Sequence, residues 1–343
     1  MKAIVIHAAR DLLVQTWEPE PLGKGQVRVR TAVGGICGSD LHYYNHGGFG
    51  TVKLREPMVL GHEVSGEVVE CGPEVSGLEA GDLVAVSPSR PCWNCQYCHE
   101  GLPNHCLNMR FYGSAMPFPH IQGAFRQELI VEAEQCVPAV GLDPGEAALA
   151  EPLSVALHAV RRAGDIVGKT VLVTGCGPIG LLSILAARMA GAGRIVATDL
   201  SDFVLAKAQE IGADVTVNSK DDPDRLAGYA AGKGTFDVLF ECTGVAAALN
   251  AAIPAMRPRG IVVQLGLGGD MPLPMTLVTA KELDIRGSFR FHAEFAYAVA
   301  AMQSGRIDVK PLITHTFPFE QAETAFETAS DRSVAIKAQV RFS

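Results

Sequence analysis

The chain's most constraining feature is the hexapeptide Gly175-Cys176-Gly177-Pro178-Ile179-Gly180, between the β-type run Thr170 to Thr174 and an apolar stretch from Ile179 to Ala190 that reads as a helix. A glycine-rich turn that joins a strand to a helix fits a parallel βαβ unit. Gly175 permits the tight turn, Gly177 lets the backbone approach a pyrophosphate, and Gly180 lets helix and strand pack closely. The helix N-terminus, with Pro178 and Ile179 in its first turn, adds amide donors and positive potential suited to an anion. Asp199 closes the next β-type run, 19 residues beyond Gly180. An acid about 20 residues on accepts ribose hydroxyls and repels a 2′-phosphate, so NAD is expected, with NADP less favoured. Thr243 and Gly266 follow later strand-like runs at their carboxyl ends, where ligands of open α/β sheets bind. The Gly266 to Gly269 segment runs into Pro272 and Pro274 and reads as a loop passing the nicotinamide.

Two grammars divide the chain. Up to about residue 150, short β-type runs alternate with Gly/Pro turns: Lys2 to Ile6, Gln26 to Val33, Val64 to Cys71, Leu83 to Val86 and Phe125 to Val131. From Val155, strands alternate with amphipathic helices, the pattern of a parallel sheet. A final strand, Ala335 to Val340, is expected to return to the first domain. With 343 residues, 48% of them hydrophobic, the chain is long enough for two cores.

Nine cysteines are present, and Cys92, Cys95, Cys98 and Cys106 form C-x2-C-x2-C-x7-C. Four thiolates at this spacing can close a tetrahedral zinc site with no open position, although the same donors suit iron. The surrounding lobe, residues 90–108, has few apolar residues, so metal is expected to supply its folding energy. Cys37, in GGICGSD, and His62, in GHE, offer one sulfur and one nitrogen, leaving room for a carboxylate and for water or substrate. Taken singly, each is the kind of residue more often found in a core or an ordinary hydrogen bond.

The net charge of −8 and the absence of Lys/Arg runs argue against nucleic acid and anionic membranes as partners. The apolar start is too short for a signal-peptide core, and Ile179 to Ala187 is too short to span a bilayer. A cytoplasmic protein with small-molecule partners is expected, assembled as a homo-oligomer, a dimer or tetramer.

GGICGSD, GHE, the four-cysteine lobe, AEPLSVALHAV and GCGPIG, in this order, are similar to the zinc-containing medium-chain dehydrogenases over essentially the whole chain. GGICGSDLHYY, PMVLGHEV, MRFYGSAMPFPH and RGSFRF resemble the polyol branch, and within it the L-idonate 5-dehydrogenases more than the sorbitol or threonine enzymes. The resemblance implies an α/β fold: a Rossmann doubly wound sheet, residues 152–286, inserted into a GroES-like β-rich catalytic domain, residues 1–151 and 287–343, with the active site in the cleft between them. It implies two zinc ions per chain, one structural and one catalytic. The catalytic ion would be held by Cys37, His62 and a carboxylate, for which Glu151 and Glu63 compete. Asp40 would orient His62, and Ser39 would take the alcohol proton and pass it through the cofactor ribose to His42. Tyr43, Phe111 and Arg290 match cleft-lining positions. Arg110 and Arg290 are the candidates for binding a substrate carboxylate. The reaction implied is oxidation of a sugar acid or polyol, L-idonate to 5-keto-D-gluconate first, with sorbitol-type, xylitol-type or L-threonine 3-dehydrogenase activity as alternatives. A non-enzymatic zinc module is the reading from a different class, and the acidic balance opposes it.

Overall fold

Runs rich in Val, Ile and Leu form the six strands of a wholly parallel sheet in the computed structural model, which describes residues 1–342. The strands, in chain order, are Thr170–Thr174, Arg194–Asp199, Val215–Asn218, Phe236–Glu241, Met256–Gln264 and Asp284–Gly287. Their spatial order is third, second, first, fourth, fifth, sixth, the doubly wound Rossmann order. The order reverses between Thr170–Thr174 and Phe236–Glu241, so the carboxyl ends of those two strands mark the switch point where such sheets take ligands. Leu172, Val196, Phe236, Leu239 and Val262 are buried in one apolar cluster with Leu249 and Ile253 from the helical segments, as a sheet covered by helices requires.

The other unit is built on a seven-stranded sheet. Its central strand, Gln26–Gly35, pairs antiparallel with Glu63–Cys71, Glu128–Glu132 and Lys337–Arg341, so the last strand does return to the first part of the chain. Phe125 fills the core beneath it with Phe326 and Phe342. Its ring occupies the space where a side chain on Gly61 would stand, since a Cβ there would lie 2.0 Å from Phe125 Cδ1. Gly61 also has a φ of +88°, and it immediately precedes His62.

The chain divides into two units, Met1–Glu151 with Phe295–Gly305 and Ile313–Ser343, and Pro152–Glu294 with Arg306–Leu312. The return, expected at residue 287, falls at Phe295. Ser288 N–H still donates to Gln264 O, and Glu294 still accepts from His158 and Arg161, which ties residues 288–294 to the parallel-sheet unit. Among the described residues, no helix is long and apolar enough to cross a membrane.

Candidate active site and metal centres

Strand Gln26–Gly35 delivers Cys37 to the start of helix Gly38–His46, and the turn at Gly61 delivers His62 to the start of strand Glu63–Cys71. Asp40, fully buried, fastens the two turns together: one oxygen accepts Cys37 N–H at 3.0 Å and the other Gly61 N–H at 3.0 Å. Its oxygen lies 3.8 Å from His62 Nδ1, beyond hydrogen-bond reach, so the hold of Asp40 on the His62 turn runs through the Gly61 backbone. His62 Nδ1 is buried with no hydrogen-bond partner.

Donor atoms of Cys37, His62 and Glu63 lie within 4.8 Å of one another. Glu151, in the first turn of helix Ala150–Ala163, lies outside that group, although it feels the charges of His62, Glu63 and Cys37. The geometry thus gathers Glu63 with the two expected ligands in place of Glu151. Glu63 is also gripped from behind: Lys337 Nζ donates to its two oxygens at 2.8 and 2.7 Å and to Ile36 O at 3.1 Å, with both side chains almost wholly buried. Burial raises the Cys37 thiol to about 12, and the Glu63 charge adds to the shift. Burial likewise raises the Glu151 carboxyl to about 8. A buried thiol and the buried Glu151 carboxyl, both pushed towards their neutral forms, beside the Glu63 carboxylate and an imidazole with an orphaned nitrogen, fit a divalent cation.

Ser39 and His42 stand three residues apart on helix Gly38–His46 and so share a face. His42 is exposed, and partial burial, then His46 and Arg332, hold its pKa below the ordinary value. Phe111 lies with its ring centroid 5.5 Å from that of His62. Arg110, its neighbour in the short strand Arg110–Phe111, must project to the opposite face. There it lines a cavity with Arg90 and Arg126, on the face away from Phe111 and His62. Tyr43 is 2% exposed in the core and its hydroxyl accepts Ala115 N–H, so it packs rather than meets substrate. Arg290, at a φ of 55°, stacks over Phe289 in the parallel-sheet unit.

The four lobe cysteines are free thiols with their Sγ atoms clustered, Cys92 to Cys106 at 3.4 Å and Cys95 to Cys98 at 3.5 Å. These separations are far longer than a disulfide bond and suit four donors around one point. N–H groups of Cys92 and Asn108 donate to Cys106 Sγ, and the Asn108 amide donates to Cys92 Sγ. The backbone N–H of Asn94 and the Asn108 amide bring the Cys92 thiol down to about 6, favouring the thiolate a metal needs.

In the parallel-sheet unit, Gly175 has a φ of 84° and Gly177 caps helix Pro178–Met189 with open space where its Cβ would stand. A Cβ on Gly180 would lie 1.8 Å from Gly175 O, which is the close helix–strand packing expected of it. Asp199 accepts Cys176 N–H at 2.7 Å with one oxygen and Leu200 and Ser201 N–H with the other. Sequence reasoning missed Glu241. This fully buried carboxylate at a strand end accepts from Thr243 N–H and hydroxyl, Gly244 N–H and Gln264 Nε2, locking together the loops that carry Thr243 and Gly266. A Cβ on Gly266 would meet Gly244 N at 2.0 Å, so those loops touch through glycine.

Comparison with known proteins agrees with this architecture. Residues 23–141 match the alcohol dehydrogenase GroES-like domain, and residues 178–304 match the zinc-binding dehydrogenase domain. The chain is 45% identical to L-idonate 5-dehydrogenase (NAD(P)(+)) of Escherichia coli K12, covering 92% of this chain and 91% of that one. It is 40% identical to sorbitol dehydrogenase of Gallus gallus, covering 95% and 92%. The crystal structure of L-idonate 5-dehydrogenase from E. coli K-12 superposes with a TM-score of 0.95 at 42% identity, covering 99% and 98% of the two chains. Glycine fingerprint, four-thiol lobe and Cys-His-carboxylate group therefore sit in the fold they suit, and the chain belongs to the zinc-dependent, nicotinamide-linked alcohol and polyol dehydrogenases.

Proposed function

We propose that the protein oxidises the C5 hydroxyl of a sugar acid, L-idonate, to 5-keto-D-gluconate with NAD+. The observation that carries this reading is the gathered set Cys37, His62 and Glu63, together with 45% identity to an L-idonate 5-dehydrogenase over almost the whole chain. Cys37, His62 and a carboxylate, Glu63 or Glu151, would hold zinc, which would supply Lewis acidity for oxidation of an alcohol by the nicotinamide. Asp40 keeps the Cys37 and Gly61 turns in register, and Lys337 fixes where the Glu63 carboxylate lies. Ser39 would accept the alcohol proton while its own hydroxyl proton leaves through the cofactor ribose to exposed His42 on the same helix face, which would release it to solvent. Phe111 walls the site against His62. Gly175, Gly177, Pro178, Ile179 and Gly180 would cradle the pyrophosphate of a bound NAD+, Asp199 would hold its ribose, and Thr243 and Gly266 would border its nicotinamide.

A sugar acid brings a carboxylate that must meet a cation or water. With Arg110 turned away, Arg290 is the candidate, its guanidinium fork suited to bidentate contact. The second reading, a neutral polyol, draws on the 40% identity to sorbitol dehydrogenase. Steady-state assays of L-idonate and sorbitol with NAD+ decide between them. L-idonate should have the higher kcat/KM, and Arg290→Ala should raise its KM about tenfold or more with a smaller effect on kcat, leaving sorbitol little changed. Equal efficiency on both substrates would establish the polyol reading, and an unselective Arg290→Ala effect would remove Arg290 from carboxylate recognition.

A further inference from the structure

Short strands Ser89–Arg90 and Arg110–Phe111 pair antiparallel, placing Arg110 directly opposite Arg90. Like charges facing one another across strands are destabilising. Here they line a cavity of about 130 Å³ together with Arg126, Tyr112, His120, Gln122 and Glu20. Only two carboxylates offset three guanidinium groups: Glu20 lies 2.6 Å from Arg126 Nη1, and Glu132 lies 3.4 Å from Arg90 Nη1. Arg110 has no carboxylate partner among the described residues. Arg126 is 2% exposed, and its Nε is buried without an acceptor, a costly arrangement if nothing enters the cavity. The neighbouring polar groups do not relieve it. His120 accepts Arg55 N–H on Nε2 and donates from Nδ1 to Pro117 O. The Gln122 carbonyl accepts Val59 N–H, leaving the amide NH2 as a further donor.

We propose that this cavity is a binding site for one small oxyanion, a carboxylate or a phosphate, held by Arg90, Arg110 and the buried Arg126 Nε. Planar guanidinium forks bind either group through paired charge-assisted hydrogen bonds. The site is separate from the catalytic group, because Phe111 faces His62 from the other side of the ribbon that carries Arg110. Glu20 is a built-in competitor, a carboxylate already on Arg126.

The test uses zinc-loaded enzyme saturated with NAD+, so that the cofactor's pyrophosphate site is filled. Inorganic phosphate and acetate are titrated separately at constant ionic strength, read by calorimetry and by thermal unfolding. One anion per chain should bind saturably, with a Tm rise of about 5 °C at roughly a hundred times Kd. Arg110→Gln, at an exposed position, and Arg90→Gln should each weaken binding about tenfold or more, and Glu20→Gln should tighten it. Saturation by phosphate alone or by acetate alone identifies which oxyanion the site takes. No saturable binding of either, binding that survives both arginine substitutions, or no tightening in Glu20→Gln would overturn the proposal.

Discussion

Asp199 illustrates how one side chain serves structure and selectivity together. Both of its oxygens are held by backbone N–H groups, of Cys176 on one side and of Leu200 and Ser201 on the other, so the carboxylate is oriented before any cofactor arrives. Its remaining acceptor capacity would serve ribose hydroxyls, and its charge would oppose a 2′-phosphate. Asp199→Ala should shift the ratio of kcat/KM for NAD+ over NADP+ towards NADP+ by about tenfold or more. Asp199→Asn, which removes the charge and keeps an acceptor for the Cys176 N–H, should shift the same ratio with a smaller rise in the KM for NAD+. An unchanged ratio in both variants would sink the assignment. Not every residue at the sites announces itself in this way. Glu241 ends one strand and Lys337 begins another, each within an apolar run, VLFE and AIKA, and a lone charge there is the available signal. Glu241 holds its neighbours Thr243 and Gly244 together with Gln264 from the next strand, and Lys337 meets Glu63 from the far end of the chain, so the remote partner of each is set by the tertiary fold.

Elements were legible where periodicity was strong. The parallel strands and the helix after the glycine turn form within a few residues of where alternation and apolar period place them, because each buries a continuous face. Helix Gly38–His46 was not legible as a helix. It carries no clear apolar stripe, its first residue is glycine, and GSD reads as turn chemistry. The reciprocal bonds between Cys37 and Asp40 start it, and a left-handed Gly47 ends it. Strand alternation also decides the fate of Arg110, but the facing direction of a two-residue strand depends on its partner Ser89–Arg90. The domain return is another element-scale matter, and Glu294 is its fastening. Its buried carboxylate accepts from His158 at 3.2 Å, Arg161 at 2.9 Å and His292 N–H at 3.0 Å. Burial alone would raise its pKa, but these bonds outweigh it and hold the carboxyl far below the ordinary range. A depressed folded-state pKa contributes stability above the unfolded value, about 4.3, and that contribution fades as the pH falls below it. Glu294→Gln should therefore lose about 1–3 kcal/mol at pH 7. Its Tm deficit against the wild type should shrink steadily between about pH 4 and pH 2. A deficit independent of pH would show that the charge contributes nothing.

At the scale of the molecule, two donor sets with different closure predict two metal ions with different consequences. The lobe set is made of four sulfurs, with no position left for substrate, and the lobe around it lacks an apolar core of its own: Trp93 is 46% exposed, Leu102 44% and Leu107 66%. Hydrophobic burial cannot hold such a segment, so the thiolate–metal bonds must. The other set rests on the buried body of the seven-stranded sheet, where Asp40 and Phe125 hold the Gly61 turn and Lys337 holds Glu63 through contacts that involve protein groups alone. Loss of metal there should cost chemistry rather than fold. Protein prepared gently without chelator should contain two zinc ions per chain. Cys37→Ser should retain about one, unfold near the wild-type temperature and lose almost all turnover. Cys95→Ser should express poorly or show increased protease cleavage within residues 90–108. A preparation that is fully active with at most one tightly held zinc, or a Cys37→Ser variant with full activity, would refute the division. Equal folding defects in the two variants would instead place the structural burden on both centres, against the support that Asp40 and Lys337 give to the catalytic one.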